Sequence, residues 1–576
     1  MSRPRNGAEL LCAALAAAGV DHVFGVPGTQ TIDLWEALRR RGRPVPVVAT
    51  TELAASFMAN GYARATGRPG VVATIPGPGF AFALPGLAEA RLDSAPLVHL
   101  AGAPARREDG GHALQAIPQA EIAGPLVKRV LTAETADGLA TDVAEALAAA
   151  VAGEPGPVLL QVPEALLGER VRRRAAPVPT PPAPAAAPAP AQVETAAALL
   201  RRARRPLLLC GQGAAGAADG VAALARLLPA PVLTTTSGRG VVPETDPLAL
   251  PFDAPGAPAA VVNALVAACD LVLALGVKFS HNGSFGFALR CPPDRLVRVD
   301  ASAEALARPY PAAVRIEADV GAFLAGVLPA LAGGGASTWD DAAVARWRGR
   351  LAAVAGAAGG ERLAGRPAAE VFAALRAALP EEAVVTTDSG LHQYLVRRHL
   401  RVLRPRTLVV PADCQSMGFG LPAAIGAAVA TGRPAVAVLG DGGFAAGGLE
   451  LATAVAAGLP LVVLVLVDGA YGLIRLQQLR RTGHASGVEL PPVGLEAVAS
   501  AVGARYRLLG PSSLDAVFGE AVAARTVTVV EVPAPGERLG RARLRGHAVA
   551  AAAAALGPAA AGRLADAARR RAARGG

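Results

Sequence analysis

Asp441 and Asp468 are the two acids of this chain whose spacing most plainly could do chemistry. Each stands directly after an apolar, β-branched run, "AVAVLG" before the first and "LVVLVLV" before the second. Gly440, Gly442 and Gly443 flank Asp441, which lets backbone approach a ligand closely and leaves N–H groups free. Two carboxylates with a nearby carbonyl, and no His or Cys among them, suit a hard cation such as Mg²⁺ rather than zinc. Mg²⁺ held by few protein ligands normally completes its shell with phosphate oxygens. A single acid at a strand end reads equally well as a helix cap. The pair in its glycine setting points instead to a metal–diphosphate site.

The elements that must position these acids follow from the pattern around them. Twenty-seven residues separate the two, room for one loop, one helix and one strand, so the two strands are expected to be neighbours. Strands apolar throughout are buried on both faces, which implies a parallel sheet covered by helices. Ligands collect at the carboxyl ends of such strands. A third acid, Glu52, ends another β-branched run in "VVATTELAASFMANGYARATG", just where a helix begins. Taken alone it is an acid favoured by the helix dipole.

Alternation of such runs with Ala/Leu segments recurs along all 576 residues and predicts an α/β chain of three doubly wound parallel-sheet domains. Composition marks the breaks. Residues 1–175 form the first block, and the Pro/Ala stretch 176–192 reads as an extended linker. A central block spans 193–332, a connecting segment 333–365 and a third block 366–535, followed by an Ala/Arg-rich tail, 536–576.

Composition excludes several other classes. The net charge of +10 is concentrated beyond Glu537, where nine arginines meet two acids, so the body is not basic enough for a nucleic-acid surface. Five scattered cysteines without CxxC spacing give neither a disulfide framework nor a zinc site. Apolar runs are too short for a membrane span, and Glu9 interrupts the one segment resembling a signal peptide; a cytoplasmic protein is expected. "GQGAAG", Gly211 to Gly216, is a GxGxxG after a strand, but the region about 20 residues on, "APVLTTTSGRG", holds no acid and none follows it until Glu244, so a nucleotide fold without NAD is expected.

The segments "HVFGVPG", "NGYARATG", "LDSAPLV", "MGFGLPAAIGAA" and the GDG stretch together resemble thiamine diphosphate enzymes, closest to acetolactate synthase and its 2-oxo acid decarboxylase relatives. The resemblance covers most of the chain and implies a pyrimidine-binding first domain, a central nucleotide-fold-like domain and a diphosphate-binding third domain. By it, Asp441, Asp468 and the Ala470 carbonyl hold Mg²⁺, although relatives usually have Asn-Asn at Val467-Asp468. Cofactor-binding positions carried over are Pro27, Gly28, Glu52, Ser389, Gly390, Leu391, His392, Gln415, Met417, Gly440, Asp441, Gly442, Gly443, Asp468, Ala470, Tyr471 and Gly472. Glu52 becomes the catalytic acid that protonates N1′ of the aminopyrimidine, which requires a carboxyl raised by burial. Met417 supports the thiazolium, and Gln415 stands where acetolactate synthases usually carry glycine.

For the substrate pocket the resemblance supplies Gln115 and Lys128, with two departures: Phe82 where those enzymes usually have Asn, and Gln477 where a tryptophan often stands. The segment "GVKFSHNGSFGF" differs from the usual Arg-Phe-Asp-Asp run, which counts against FAD. Relatives share their sites across subunits, so a homodimer or homotetramer is implied. The activity implied is decarboxylation of a 2-oxo acid and transfer of the resulting acyl-anion equivalent to a carbonyl acceptor. The alternative is simple decarboxylation releasing an aldehyde; the absence of an adjacent His-His pair tilts toward carboligation. A non-catalytic binding protein on the same fold would have lost Glu52 or a metal ligand.

Overall fold

β-Branched runs place the strands, and three six-stranded, all-parallel sheets result in the computed structural model. It describes residues 4–104, 113–172, 187–250, 259–357 and 361–534. In the first sheet the strands lie in the order Val45–Val48, His22–Gly25, Gly70–Thr74, Leu97–Ala103, Pro157–Pro163, Arg129–Thr132. The third sheet repeats this winding: Leu408–Val409, Val384–Thr387, Ala435–Gly440, Leu461–Val467, Thr528–Pro533, Arg505–Leu508. Both reverse direction between their first and third strands, and there the loops diverge to opposite faces and leave a crevice. The central sheet instead runs Val314–Glu317, Leu296–Asp300, Leu271–Leu275, Pro206–Cys210, Val232–Thr234, Ala249–Leu250, a dinucleotide-fold winding.

The composition-based boundaries need one adjustment. The central domain's first helix, Pro190–Arg202, begins inside the stretch read as linker. Pro190 occupies its first turn, where a missing N–H costs nothing and the fixed φ suits a helix. The remainder of that stretch up to residue 186 and the tail 536–576 lie outside the described residues. The connecting segment carries the expected helix, Asp341–Ala357.

The first and third domains share one core. The Glu52–Thr66 helix lies against the Gly420–Thr431 helix so closely that a Cβ on Gly61 would meet the Ala423 carbonyl oxygen at 2.1 Å. A Cβ on Gly426 would meet that of Met58 at 1.9 Å. Phe57 and Phe419 pack edge to face beside this crossing, centroids 5.3 Å apart. Thus the helix that opens with Glu52 is rigidly tied to the helix that follows Met417. Among the described residues no helix is long and apolar enough to cross a membrane.

Candidate active site at the sheet ends

Asp441 and Asp468 do come together. Their strands are hydrogen-bonded neighbours, with Gly440 opposite Leu466, so both acids emerge at one edge of the crevice. The Asp441 carboxylate accepts the N–H of Gly442 at 3.0 Å and that of Gly469 at 2.7 Å. Asp468 accepts the Ala470 N–H at 3.3 Å, and a Cβ on Gly472 would strike its Oδ2 at 2.1 Å. Burial and the neighbouring Asp441 charge push the Asp468 carboxyl up to about 7. A divalent cation between the two acids would relieve that repulsion, so the donor set fits Mg²⁺. The Ala470 carbonyl accepts from Gly472 N–H at 2.8 Å and retains a lone pair, while residues 469–471 are held by a short bridge to Glu489. Tyr471 is 40% exposed beside it.

The other wall of the crevice is the loop after Thr387. Ser389, Gly390 and Leu391 lead into the Leu391–His399 helix, and His392 Nε2 lies 3.1 Å from the Asp388 carbonyl oxygen. Burial holds the His392 ring down to about 4, so it is neutral. Ser389 donates to the Gln415 Oε1 at 2.9 Å, and Gln415 Nε2 donates to the Ala412 carbonyl at 2.6 Å. Gln415 has φ 64°, the left-handed region in which glycine is unstrained. The two side-chain bonds hold glutamine in that conformation. Met417 follows, 41% exposed although apolar. Its exposure at the mouth suits contact with a bound ring.

A second group gathers at the carboxyl end of the first sheet. Glu52 is the first residue of its helix, capped by Thr51, whose side chain accepts the Ala54 N–H. Its Oε1 lies 2.9 Å from where a Cβ on Gly79 would stand, and Ile75 Cγ1 lies 2.6 Å from the same point, so the carboxylate rests close over Gly79. Glu52 is half-buried in the protomer. Pro27 is exposed at the end of the neighbouring strand, and Gly28 turns against Ile75. Gln115, at φ 62°, closes over Gly77. Phe82 projects from the Pro78–Leu92 helix, 59% exposed.

Sequence comparisons speak to both groups. Models of the thiamine pyrophosphate enzyme N-terminal TPP binding domain, central domain and C-terminal TPP binding domain match residues 5–122, 193–327 and 388–532. The chain belongs to the thiamine pyrophosphate enzyme family. It is 32% identical to an acetolactate synthase large subunit of Parasynechococcus marenigrum over 82% of this chain and 78% of that one. Identity is also 32% with a probable 2-ketoarginine decarboxylase of Pseudomonas aeruginosa, covering 84% and 85% of the two chains. An acetolactate synthase isozyme 1 large subunit of Escherichia coli is 28% identical over 82% and 83%. The protein is therefore a thiamine diphosphate-dependent, acetolactate synthase-like enzyme with the three α/β domains of that family.

Two features of this thiamine diphosphate enzyme depart from the sequence reading. Lys128 does not join the pocket residues. Its ammonium donates to the Ala149 and Ala152 carbonyls at 2.7 and 2.6 Å, at the end of the Leu139–Val151 helix, where unpaired carbonyls and the helix dipole attract a cation. Asp388, by contrast, was not among the expected residues. It is fully buried and accepts the N–H groups of Gly418 and Gly420, fixing the Met417 segment against the loop after Thr387. A Cβ on Gly443 would meet its Oδ2 at 2.0 Å. The position "TDSG" at a strand end was its only sequence signal. Gln477 is exposed on the Gly472–Thr482 helix that starts beside Asp468.

Proposed function

We propose that this thiamine diphosphate enzyme decarboxylates a 2-oxo acid and joins the remaining acyl unit to a carbonyl acceptor. The reading rests on the Asp441–Asp468 pair, two acids at the ends of neighbouring strands in a glycine-rich setting, whose repulsion calls for a cation. Asp441, Asp468 and the Ala470 carbonyl would hold Mg²⁺. Gly440, Gly443 and Gly390 would let the diphosphate approach the backbone closely, while the Gly442 N–H and the Ser389 hydroxyl hold Asp441 and Gln415 in place beside it. The bound cofactor supplies an electron sink for loss of CO₂ from the donor. Glu52 would hold a proton at the aminopyrimidine, and Met417 would pack against the bound cofactor. His392 stays uncharged and packs beside Gly440, so it shapes the crevice without adding charge.

Glu52 and Asp441 end different sheets, and apolar side chains at both ends stand open: Val48 and Phe82 on one, Met417 and Leu449 on the other. A second copy covering them would complete each site, and we assign the working enzyme as a dimer or a higher multiple. The reading includes no flavin. In the Gly276–Phe287 segment the Lys278 ammonium is engaged by Glu154 at 2.7 Å and the Leu92 carbonyl at 3.1 Å, and Asn282 bonds the Ala412 carbonyl. Those side chains join the three domains.

Simple decarboxylation is the second reading, favoured by the 2-ketoarginine decarboxylase relative's coverage. Incubating the protein with thiamine diphosphate, Mg²⁺ and a panel of 2-oxo acids, with and without added aldehyde or 2-oxo acid acceptors, decides between them. Carbon–carbon coupled products are expected. Aldehyde alone at every acceptor concentration would select the second reading, and no CO₂ release from any donor would remove both.

A further inference from the structure

We propose that Glu89 is a positioning residue for this reaction, reaching from the first domain to set the Gln415–Met417 segment of the third. The inference rests on the cofactor-site reading above. Glu89 and Asp93 stand one helical turn apart, at the end of the Pro78–Leu92 helix and its cap, so their carboxylates share a face. That face grips one loop twice. Asp93 accepts the Ala412 N–H at 3.0 Å and Glu89 accepts the Ser416 N–H at 2.8 Å. Arg64 braces the first grip, donating to Asp93 at 2.9 Å and to the Val410 carbonyl at 2.7 Å.

Between the two grips the chain makes its left-handed turn at Gln415, and directly after the second it presents Met417. The Ser416 bond therefore fixes where the turn ends. Glu89 is completely buried, and besides the Ser416 N–H it faces the Ser416 hydroxyl and the Cys414 thiol of the same loop. Burying a carboxyl is costly unless hydrogen bonds repay it, and the partners of this one lie in the third domain's 414–416 loop rather than on its own helix. Burial and the neighbouring Asp93 push this carboxyl up to about 7, with Arg64 opposing. What the group does in return is hold an N–H contributed by another domain.

Hydrogen–deuterium exchange of the full-length protein without cofactor, read by mass spectrometry on a peptide spanning residues 412–419, tests the grip. Glu89→Met, similar in length but without an acceptor, should exchange about tenfold faster there, the size expected of one buried hydrogen bond. Strand 435–440 should be unchanged. Glu89→Gln retains an acceptor oxygen and should stay within about twofold of the original. Glu89→Asp, one methylene short, should show the faster exchange even if Glu89→Met does not fold. In parallel, calorimetric titration with thiamine diphosphate at fixed Mg²⁺ should show about tenfold weaker binding for Glu89→Met or Glu89→Asp but not for Glu89→Gln. Unchanged exchange in the shortened variant, equal effects of Gln and Met, or faster exchange with unaltered affinity would each overturn the proposal. Should the unsubstituted protein bind no thiamine diphosphate, the functional reading fails, while the exchange result still decides whether Glu89 holds the loop.

Discussion

The Asp441 carboxylate accepts the Gly469 N–H at 2.7 Å, so the acid at one strand end fastens the turn that carries the acid at the next. Each carboxylate thus has a fixed neighbour before any cation arrives. Asp468 bears the consequence, its carboxyl raised by burial and by Asp441. The pair is arranged for a positive charge rather than for its own stability, as expected of a functional site.

Asp441→Ala should abolish Mg²⁺-dependent thiamine diphosphate binding and also loosen the Gly469 turn. Calorimetry should show no saturable cofactor binding, and the loss of one partly exposed hydrogen bond should cost about 1 kcal/mol. Asp468→Asn should instead keep activity and raise the Tm of the cofactor-free protein, because it removes a like-charge neighbour. A dead but folded Asp468→Asn would give Asp468 a role other than ligation.

Glu52→Gln should leave cofactor affinity nearly unchanged and slow exchange of the bound cofactor's C2 proton. The amide cannot deliver a proton, and general acid–base assistance is worth about 10²–10⁴-fold. Acid quench followed by NMR reads the exchange directly. An unaltered rate would leave Glu52 with only its position at the helix start.

Gln415 carries two opposed effects that substitution separates. Gln415→Ala keeps the left-handed backbone strain and loses both side-chain bonds, whereas Gln415→Gly loses the bonds and relieves the strain. The alanine variant should therefore be less stable than the glycine variant by about 1 kcal/mol. Differential scanning calorimetry of the two proteins, both without cofactor, gives the comparison. Equal Tm values would mean the backbone at 415 relaxes once its side chain is gone.

Sequence carried much of this site because it is local at each end. β-Branched runs ending in glycine and acid marked the strands before Asp441 and Asp468 and the neighbour relation between them. The linker was overrun by three residues at Pro190 because proline reads as extended chain but also begins helices. Lys128 resembled a pocket residue, yet a helix end lying nearby in space captured its ammonium. Asp388 and Glu89 stayed invisible for a different reason. Their partners are backbone N–H groups 30 and 327 positions away, and backbone donors carry no residue-type signal.

His99 gives a pH dependence that can be isolated. It is fully buried, stacked on Phe80, and held down to about 3 from the usual 6.5 by desolvation. The unfolded chain takes up this proton near 6.5 while the folded chain refuses it until about 3. Stability from this group is therefore complete above 6.5 and lost as pH falls through that interval, by about 1.4 kcal/mol per pH unit. Between pH 6 and 5 the Tm should fall further for the original protein than for His99→Gln. Raised acids such as Asp300 and Asp388 are common to both proteins and cancel in the difference. Parallel Tm profiles would show that His99 takes its proton without cost.

Gln477 tests the choice of acceptor. It is exposed on the helix that starts beside Asp468, six positions beyond the half-open Tyr471 and three beyond the exposed Ile474. On the function proposed above, this side chain would face the acceptor. Gln477→Trp would fill that volume with a rigid apolar surface and favour small acceptors such as pyruvate over larger ones. A single added contact group is worth about 1–3 kcal/mol, or roughly 10–200-fold in discrimination. Competing a small acceptor against a large one and measuring the ratio of coupled products, with donor consumption followed in parallel, reads the effect. Donor consumption should hold steady while the ratio moves. An unmoved ratio would place Gln477 outside the pocket, and a fall in donor consumption would place it instead at the first half-reaction.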